Sequence, residues 1–329
     1  MRIYEVERGD MQHIPVLLDS VLDVFAPFAE GNSRVFIDCT LGLGGHTQAL
    51  LEAYPHIEAI GIDQDSAALK IARQNLAKFS SRIRLLHTNF AQGLAEALAI
   101  LKCEGKQVCG ILADIGVSSL QLDDKARGFG FLSDSLDMRM DTRLTHNASR
   151  IISEYSEFEL ERVFREYGEI RESKKMAHLI KTHKGGFASA KELSTFLAQH
   201  FSSRKIHPAT LAFQALRIEV NDELNALKTL LTTVQNTTKK HQMAESNSAL
   251  SGAIVAIISF HSLEDRIVKD TFKAWSKDCI CPSESYRCVC GGGYARGKIL
   301  TKKPIMANAA EIHQNSRARS AKLRAFALQ

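Results

Sequence analysis

Three carboxylates, each closing an apolar run, are the residues of this 329-residue chain best placed for chemistry. Asp38 follows Val35-Phe36-Ile37, Asp63 follows the run Ile57–Ile62, and Asp114 follows Val108–Ala113. Between the first two lies Gly42-Leu43-Gly44-Gly45-His46. Glycines there let backbone approach a ligand closely and take positive φ. An acid beyond the second run suits a ribose diol, because one carboxylate accepts from both hydroxyls. A nucleotide-like ligand is the first expectation. The dinucleotide fingerprint G-x-G-x-x-G is incomplete, since Thr47 stands where the third glycine belongs.

The elements that must carry these residues alternate strand and helix. Residues 13–28 space Val16, Leu17, Val21, Val24 and Phe25 as one helix face. Strand, glycine loop and helix follow over Val35–Ala53, a second strand ends at Asp63, and Ser66–Phe79 reads as a helix. Arg82–Asn89 is a third strand, with Phe90 at its edge, and a helix over Gly93–Lys102 leads to a fourth, fully apolar strand ending at Asp114. In open α/β sheets the fourth strand lies beside the first, and ligands bind at that reversal of order. Gly252–Phe260 is a fifth buried strand, which sets Phe260 and His261 beside Asp114. Ser262-Leu263-Glu264-Asp265 has the pattern of a capping box with Ser262 as N-cap and Asp265 as its partner.

Residues 148–228 carry only helical spacing, and 236–251 are polar and patternless, as in a loop. Lys174, Lys175, Lys181, Lys184, Arg204, Lys205 and His207 make the helical stretch basic, either to grip RNA or as ordinary solvated faces. From Asp270 onward there are eleven Lys and Arg against four Asp and Glu, so the net charge of +5 sits at the C-terminal end. Clustered cations there suit phosphate backbones. The chain is 45% hydrophobic, enough for a large core. No apolar run approaches the roughly 20 residues of a membrane span. The charged N-terminus lacks a signal h-region, and seven cysteines are odd in number, so a cytoplasmic protein with reduced thiols is expected.

Asp38-Cys39-Thr40-Leu41-Gly42-Leu43-Gly44-Gly45-His46 resembles the first motif of class I methyltransferases, which bind S-adenosylmethionine. Asp114-Ile115-Gly116-Val117-Ser118-Ser119 stands where methyltransferases of amino groups on adenine or cytosine carry an acid or amide, two prolines and an aromatic, but lacks the prolines and the aromatic. Gln121–Phe131 with Leu136–Asp141 is too rich in Asp, Arg, Gly and Phe for a core element and reads as a shaped loop over the site. With Ser259–Arg266, these segments resemble the bacterial small-subunit ribosomal RNA cytosine-N4 methyltransferase family (MraW/RsmH), over about His13 to Arg324.

That resemblance implies an α/β fold of class I, Rossmann-like, with a mostly parallel seven-stranded sheet. It implies methyltransferase parts at 1–125 and 226–329 and an inserted all-helical substrate domain at 126–225. S-adenosylmethionine is the implied cofactor. Gly44, Gly45 and His46 are then expected near its methionine and ribose, Asp63 at the ribose hydroxyls, Phe90 at the adenine, and Asp114 and Gln121 at the methionine end. Asp114 and His261 are the expected catalytic residues, on an unpaired or extruded cytidine of small-subunit ribosomal RNA or of the assembled subunit. No membrane partner is expected, and a homodimer stays open. A DNA amino-methyltransferase and a non-catalytic nucleotide-binding protein or dehydrogenase are the competing readings. Cys279, Cys281, Cys288 and Cys290 are expected as free thiols with no metal, although four thiolates could hold zinc, because C-x-C departs from the usual C-x2-C spacing.

Overall fold

The structure, a computed structural model, describes residues 14–28, 34–202, 207–238, 248–282, 284 and 287–329. In chain order the first elements are α1 (Leu18–Phe25), β1 (Arg34–Asp38), α2 (Gly45–Ala53), β2 (Glu58–Asp63) and α3 (Ser66–Asn75). Then come β3 (Ile83–His87), α4 (Phe90–Glu104), β4 (Gln107–Asp114) and α5 (Ser119–Asp123). Helices α6 (Ala148–Glu154), α7 (Glu157–Glu166), α8 (Ser173–Thr182), α9 (Ala190–His200), α10 (Ala209–Asn221) and α11 (Glu223–Thr237) follow without a strand. The chain closes with β5 (Ile254–Ser259), α12 (Ser262–Trp275), β6 (Gly297–Ile299), β7 (Ile305–Met306), α13 (Ala309–Gln314) and β8 (Lys322–Leu328).

Among the described residues eight strands form one sheet in the order β3-β2-β1-β4-β5-β8-β6, with β7 also on β8. Strands β1 to β5 pair in parallel, and β8 runs antiparallel to β5. The mostly parallel sheet is as expected. It has one strand more than expected, the two-residue β7, and the last long strand begins at Lys322.

Period-two side-chain alternation assigns each strand to two cores. Val35 and Ile37 face the core built with α4, α11 and α12, whereas Phe36 faces the one built with α1, α2 and α3. Because helices cover both faces, the strands can be apolar throughout. A third core, from Phe129 to Val220, gathers α6 to α10 and is separate from the sheet. Helix α11 instead buries Leu227, Leu230, Leu231 and Val234 against the sheet. Of the expected polar loop, 236–237 finish α11 and 239–247 lie outside the described residues, as do Arg204 and Lys205.

Candidate functional site

A cavity of about 1210 Å³ opens at the C-terminal edges of β1, β2 and β4, where the strand order reverses. The loop after β1 is fixed by neighbouring strands: Cys39 N–H donates to Leu112 O (2.8 Å) and Leu41 N–H to Ile62 O (2.9 Å). Gly42 N–H then donates to Asp63 Oδ2 at 2.7 Å, which ties the loop to the end of β2. Gly44 has φ +89°, and a Cβ on it would lie 2.7 Å from Leu76 Cδ1. Its glycine therefore serves the turn and the packing of α3's end, and Gly44 does not line the cavity. Gly45 and His46 do line it. His46 is also committed to structure, with Nε2 at 2.9 Å from Val16 O.

Asp63 receives a second amide hydrogen bond, from Asp65 (2.8 Å). Burial pushes its carboxyl up to about 6, against those two amide bonds, and the charges of Asp65 and Asp38 add to the rise. Asp38 is buried between Thr47 Oγ1 (2.6 Å) and Thr40 N–H (3.2 Å) and is likewise pushed up to about 6, chiefly by burial. Asp114 is the extreme case. Burial, then the charges of Asp38 and Glu264, raise it to about 8. Its Oδ1 is buried and has no hydrogen-bond partner among the described residues. None of the three carboxylates forms an ion pair among the described residues. The rim is thus short of positive charge and of one hydrogen-bond donor.

Phe90, at the first turn of α4, is both core and cavity wall. Gln121 also lines the cavity, but its amide is already occupied: Oε1 accepts from Ser118 N–H (3.1 Å) and Nε2 donates to Asp65 Oδ2 (2.9 Å). Phe260 closes the wall beside β4. Gly116, at φ +139°, leaves room for that ring, since a Cβ there would lie 3.2 Å from Phe260 Cδ2.

The structure does not bring His261 to the cavity wall. His261 is the N-cap of α12, and its Nε2 lies 2.9 Å from the wholly buried Glu264 Oε1. Glu264 Oε2 in turn accepts from the backbone N–H groups of Phe260 (2.8 Å) and His261 (3.3 Å). The capping pair is thus His261 and Glu264, one residue earlier than Ser262 and Asp265. Ser262 Oγ donates to Glu169 Oε2 (2.5 Å), and Asp265 pairs with Arg324 (2.6 Å).

Several residues that position the site went unassigned in the sequence. Arg127 Nη1 donates to Asp65 Oδ2 (2.8 Å), while its Nη2 donates to the carbonyls of Arg139 and Met140 (both 3.0 Å). One guanidinium therefore joins the turn after β2 to the loop above the cavity. Asn221 holds the same loop from α10, accepting from Met140 N–H (2.7 Å) and donating to Met138 O (2.7 Å). Met138 sits at φ +60°, a conformation a non-glycine residue keeps only when its surroundings impose it. The buried pair of Arg217 and Glu223 (2.7 and 2.9 Å) braces the corner between α10 and α11, whose residues Val220–Glu223 line the far side. The density of Asp, Arg and Gly around Arg127 was the available signal. Asn221 gave none.

At the C-terminal end, Arg317 lines the rim and pairs with Asp123 (2.7 Å). Lys322 and Arg324 both turn to Asp265, at 3.7 and 2.6 Å, and Arg324 is buried. Part of the basic cluster is therefore internal structure. No helix among the described residues is long and apolar enough to cross a membrane.

This chain is similar, 50% identical over 316 residues, to "Ribosomal RNA small subunit methyltransferase H" of Helicobacter pylori (strain P12), covering 95% of this chain and 96% of that protein. The protein of the same name from Helicobacter hepaticus (strain ATCC 51449 / 3B1) is 49% identical over 322 residues, covering 97% and 98%. The sequence profile of the MraW methylase family matches residues 10–329. With that match over nearly its whole length, the chain belongs to the MraW methylase family.

Proposed function

We propose that this protein transfers a methyl group from S-adenosylmethionine to the exocyclic N4 of an unpaired cytidine in small-subunit ribosomal RNA, in the cytoplasm. The observation that carries the reading is the buried, unpartnered Asp114 Oδ1 on the wall of a cavity that three unpaired carboxylates line or underlie. The residues present suit a ligand that is cationic, carries a ribose diol and ends in an amino group. When bound, S-adenosylmethionine supplies an electrophilic methyl on a sulfonium.

The chain's own groups then have separable tasks. Asp63 keeps lone pairs for a diol after accepting from Gly42 and Asp65. Phe90 offers an apolar wall to a flat base. Asp114 would accept from an amino group entering the cavity, since a cation held nearby would lower its hold on the proton that burial makes it keep and let that proton pass to water. Accepting from the attacking N4–H group would stabilise the positive charge that develops there, the kind of fixed electrostatic help most effective in a dry site. Alignment of nucleophile and methyl can contribute roughly 7–11 kcal/mol. That alignment falls to the loop clamped by Arg127 and Asn221 and to the Phe260 wall.

RNA is favoured as substrate by what the relatives are called and by exposed cations on the C-terminal segment and the helical body. Arg319 of the C-terminal segment, and Lys174 and Lys184 of the helical body within 126–225, are exposed. Tritium transfer from labelled S-adenosylmethionine to small subunits from cells lacking this protein tests the reading. N4-methylcytidine in the digested RNA, with none in duplex DNA, is the expected result. Label on DNA alone, or on another atom of the RNA, would replace it.

A further inference from the structure

Between α12 and β6 the chain runs from Ser276 to Arg296 without helix or strand among its described residues. Connections this long without structure of their own are uncommon in compact folds and call for something that holds them. The base of this one is tied by backbone: Arg296 N–H donates to Trp275 O (2.8 Å) and Tyr294 N–H to Asp278 O (3.1 Å). Among its described residues the tip has no hydrophobic anchor, with Ile280 63% and Val289 87% exposed. Yet the four sulfur atoms of Cys279, Cys281, Cys288 and Cys290 all lie within 4.8 Å of one another. Cys279 and Cys288 are 3.4 Å apart, and Cys290 is 3.5 Å from each. None is in a disulfide.

Burial cannot gather four thiols at a solvent-facing tip, and thiol hydrogen bonds are weak. A shared cation can. Zinc binds thiolate sulfur at about 2.3 Å in a tetrahedron, which puts the sulfurs about 3.8 Å apart, between the closest contacts here and their outer limit. An iron–sulfur cluster divides the four thiolates among two or more irons and needs them spread wider. Backbone amides already point at the sulfurs, Cys281 N–H to Cys279 Sγ (3.4 Å) and Val289 N–H to Cys281 Sγ (3.3 Å), as suits sulfur carrying negative charge. Three successive glycines at φ +78°, +75° and +77°, Gly291 to Gly293, turn the chain back just after the fourth sulfur.

We propose that Cys279, Cys281, Cys288 and Cys290 form a closed tetrathiolate site for one zinc ion. All four positions come from protein, so the site is structural and leaves none open for catalysis. Helix α12 begins at the cavity edge and its 14 residues rise about 21 Å away from it, which carries the site to the opposite edge of the sheet. The metal folds the connection that delivers Arg296 to α11, where its guanidinium donates to Gln235 O (2.8 Å), and β6 to β8. C-x-C spacing favours metal-free thiols, whereas the placement of the four sulfurs favours the metal. Two C-x-C pairs facing each other enclose a tetrahedron as well as C-x2-C pairs do.

The test uses the full untagged chain, grown with added zinc and purified under reducing conditions without chelator. Elemental analysis should find about one zinc per chain, falling at least fivefold in the Cys281→Ser/Cys290→Ser variant. Cobalt(II) loaded in place of zinc should show the intense visible bands of tetrahedral thiolate coordination. On the unmodified protein, a native thiol titration should find the exposed Cys103 before a strong chelator is added and four further thiols afterwards. That arm needs no variant to fold. A chain that takes up neither zinc nor cobalt, unchanged metal content in the double variant, or four thiols consumed as two disulfides in the reduced preparation would each overturn the site.

Discussion

Asp65 Oδ2 takes hydrogen bonds from both Gln121 Nε2 (2.9 Å) and Arg127 Nη1 (2.8 Å), so one buried oxygen unites three segments around the cavity. The ion pair is well shielded, with side-chain exposures of 14% for Arg127 and 2% for Asp65. Removing one partner of a buried pair costs about 3–5 kcal/mol, because the other charge stays behind uncompensated. Arg127→Ala should therefore lower Tm by several degrees and weaken cofactor binding together. Arg127→Lys should restore little, since a single ammonium cannot span Asp65 and two carbonyls. Melting curves with and without S-adenosylmethionine read both effects. Tight binding by Arg127→Ala would detach this pair from the site.

Asp63→Ala removes a charged acceptor that also orders Gly42. Hydrogen bonds to charged groups are worth about 1.5–3 kcal/mol, so Kd for the cofactor should rise by about tenfold to a hundredfold while the protein stays folded. Isothermal calorimetry measures this directly. An unchanged Kd would reassign Asp63 to holding the loop alone.

Asp114 yields a dependence on pH whose sign follows from its raised carboxyl. Between the ordinary carboxylate value of 3.8 and about 8, the folded chain keeps a proton that the unfolded chain releases. Stability must then fall as pH rises through that window and level off above about 8. Asp114→Asn abolishes the penalty. Its Tm should match the parent protein near pH 4 and exceed it increasingly up to pH 8, while methyl transfer drops at least a hundredfold. A constant Tm difference across pH would show that Asp114 titrates normally.

The C-terminal cations divide by what they touch. Arg319→Ala should flatten the salt dependence of RNA binding and leave Tm unchanged, because that side chain is exposed. Arg324→Ala should cost stability instead, since Asp265 loses its bonds at 2.6 and 3.2 Å. Filter binding across a salt series, set beside thermal melts, separates the two.

The parts of the site legible in the sequence are those that end an apolar run. A strand's burial can be read from its residues, and the first polar residue beyond it is carried to the sheet edge, which is how Asp63 and Asp114 stood out. Phe90 and Phe260 followed by the same logic. His261 did not, because the fit of a cap is decided by which acid can turn back to the backbone, and Glu264 is buried there while Asp265 is drawn off by Arg324. Arg127 and Asp65 are 62 residues apart, and Asn221 reaches Met140 over 81. Local pattern holds no trace of such contacts. The glycine at 44 was readable as necessary but not why, since its neighbour Leu76 comes from beyond α3.

Strand β8 enters the sheet between β5 and β6 although it is made after both. During synthesis β5 must therefore wait with one side unpaired until Leu328 has left the exit tunnel, and β6 has nothing to lie against. The central layer closes only once β8 has emerged, so until then the nascent chain presents a bare hydrophobic seam to chaperones and to other nascent chains.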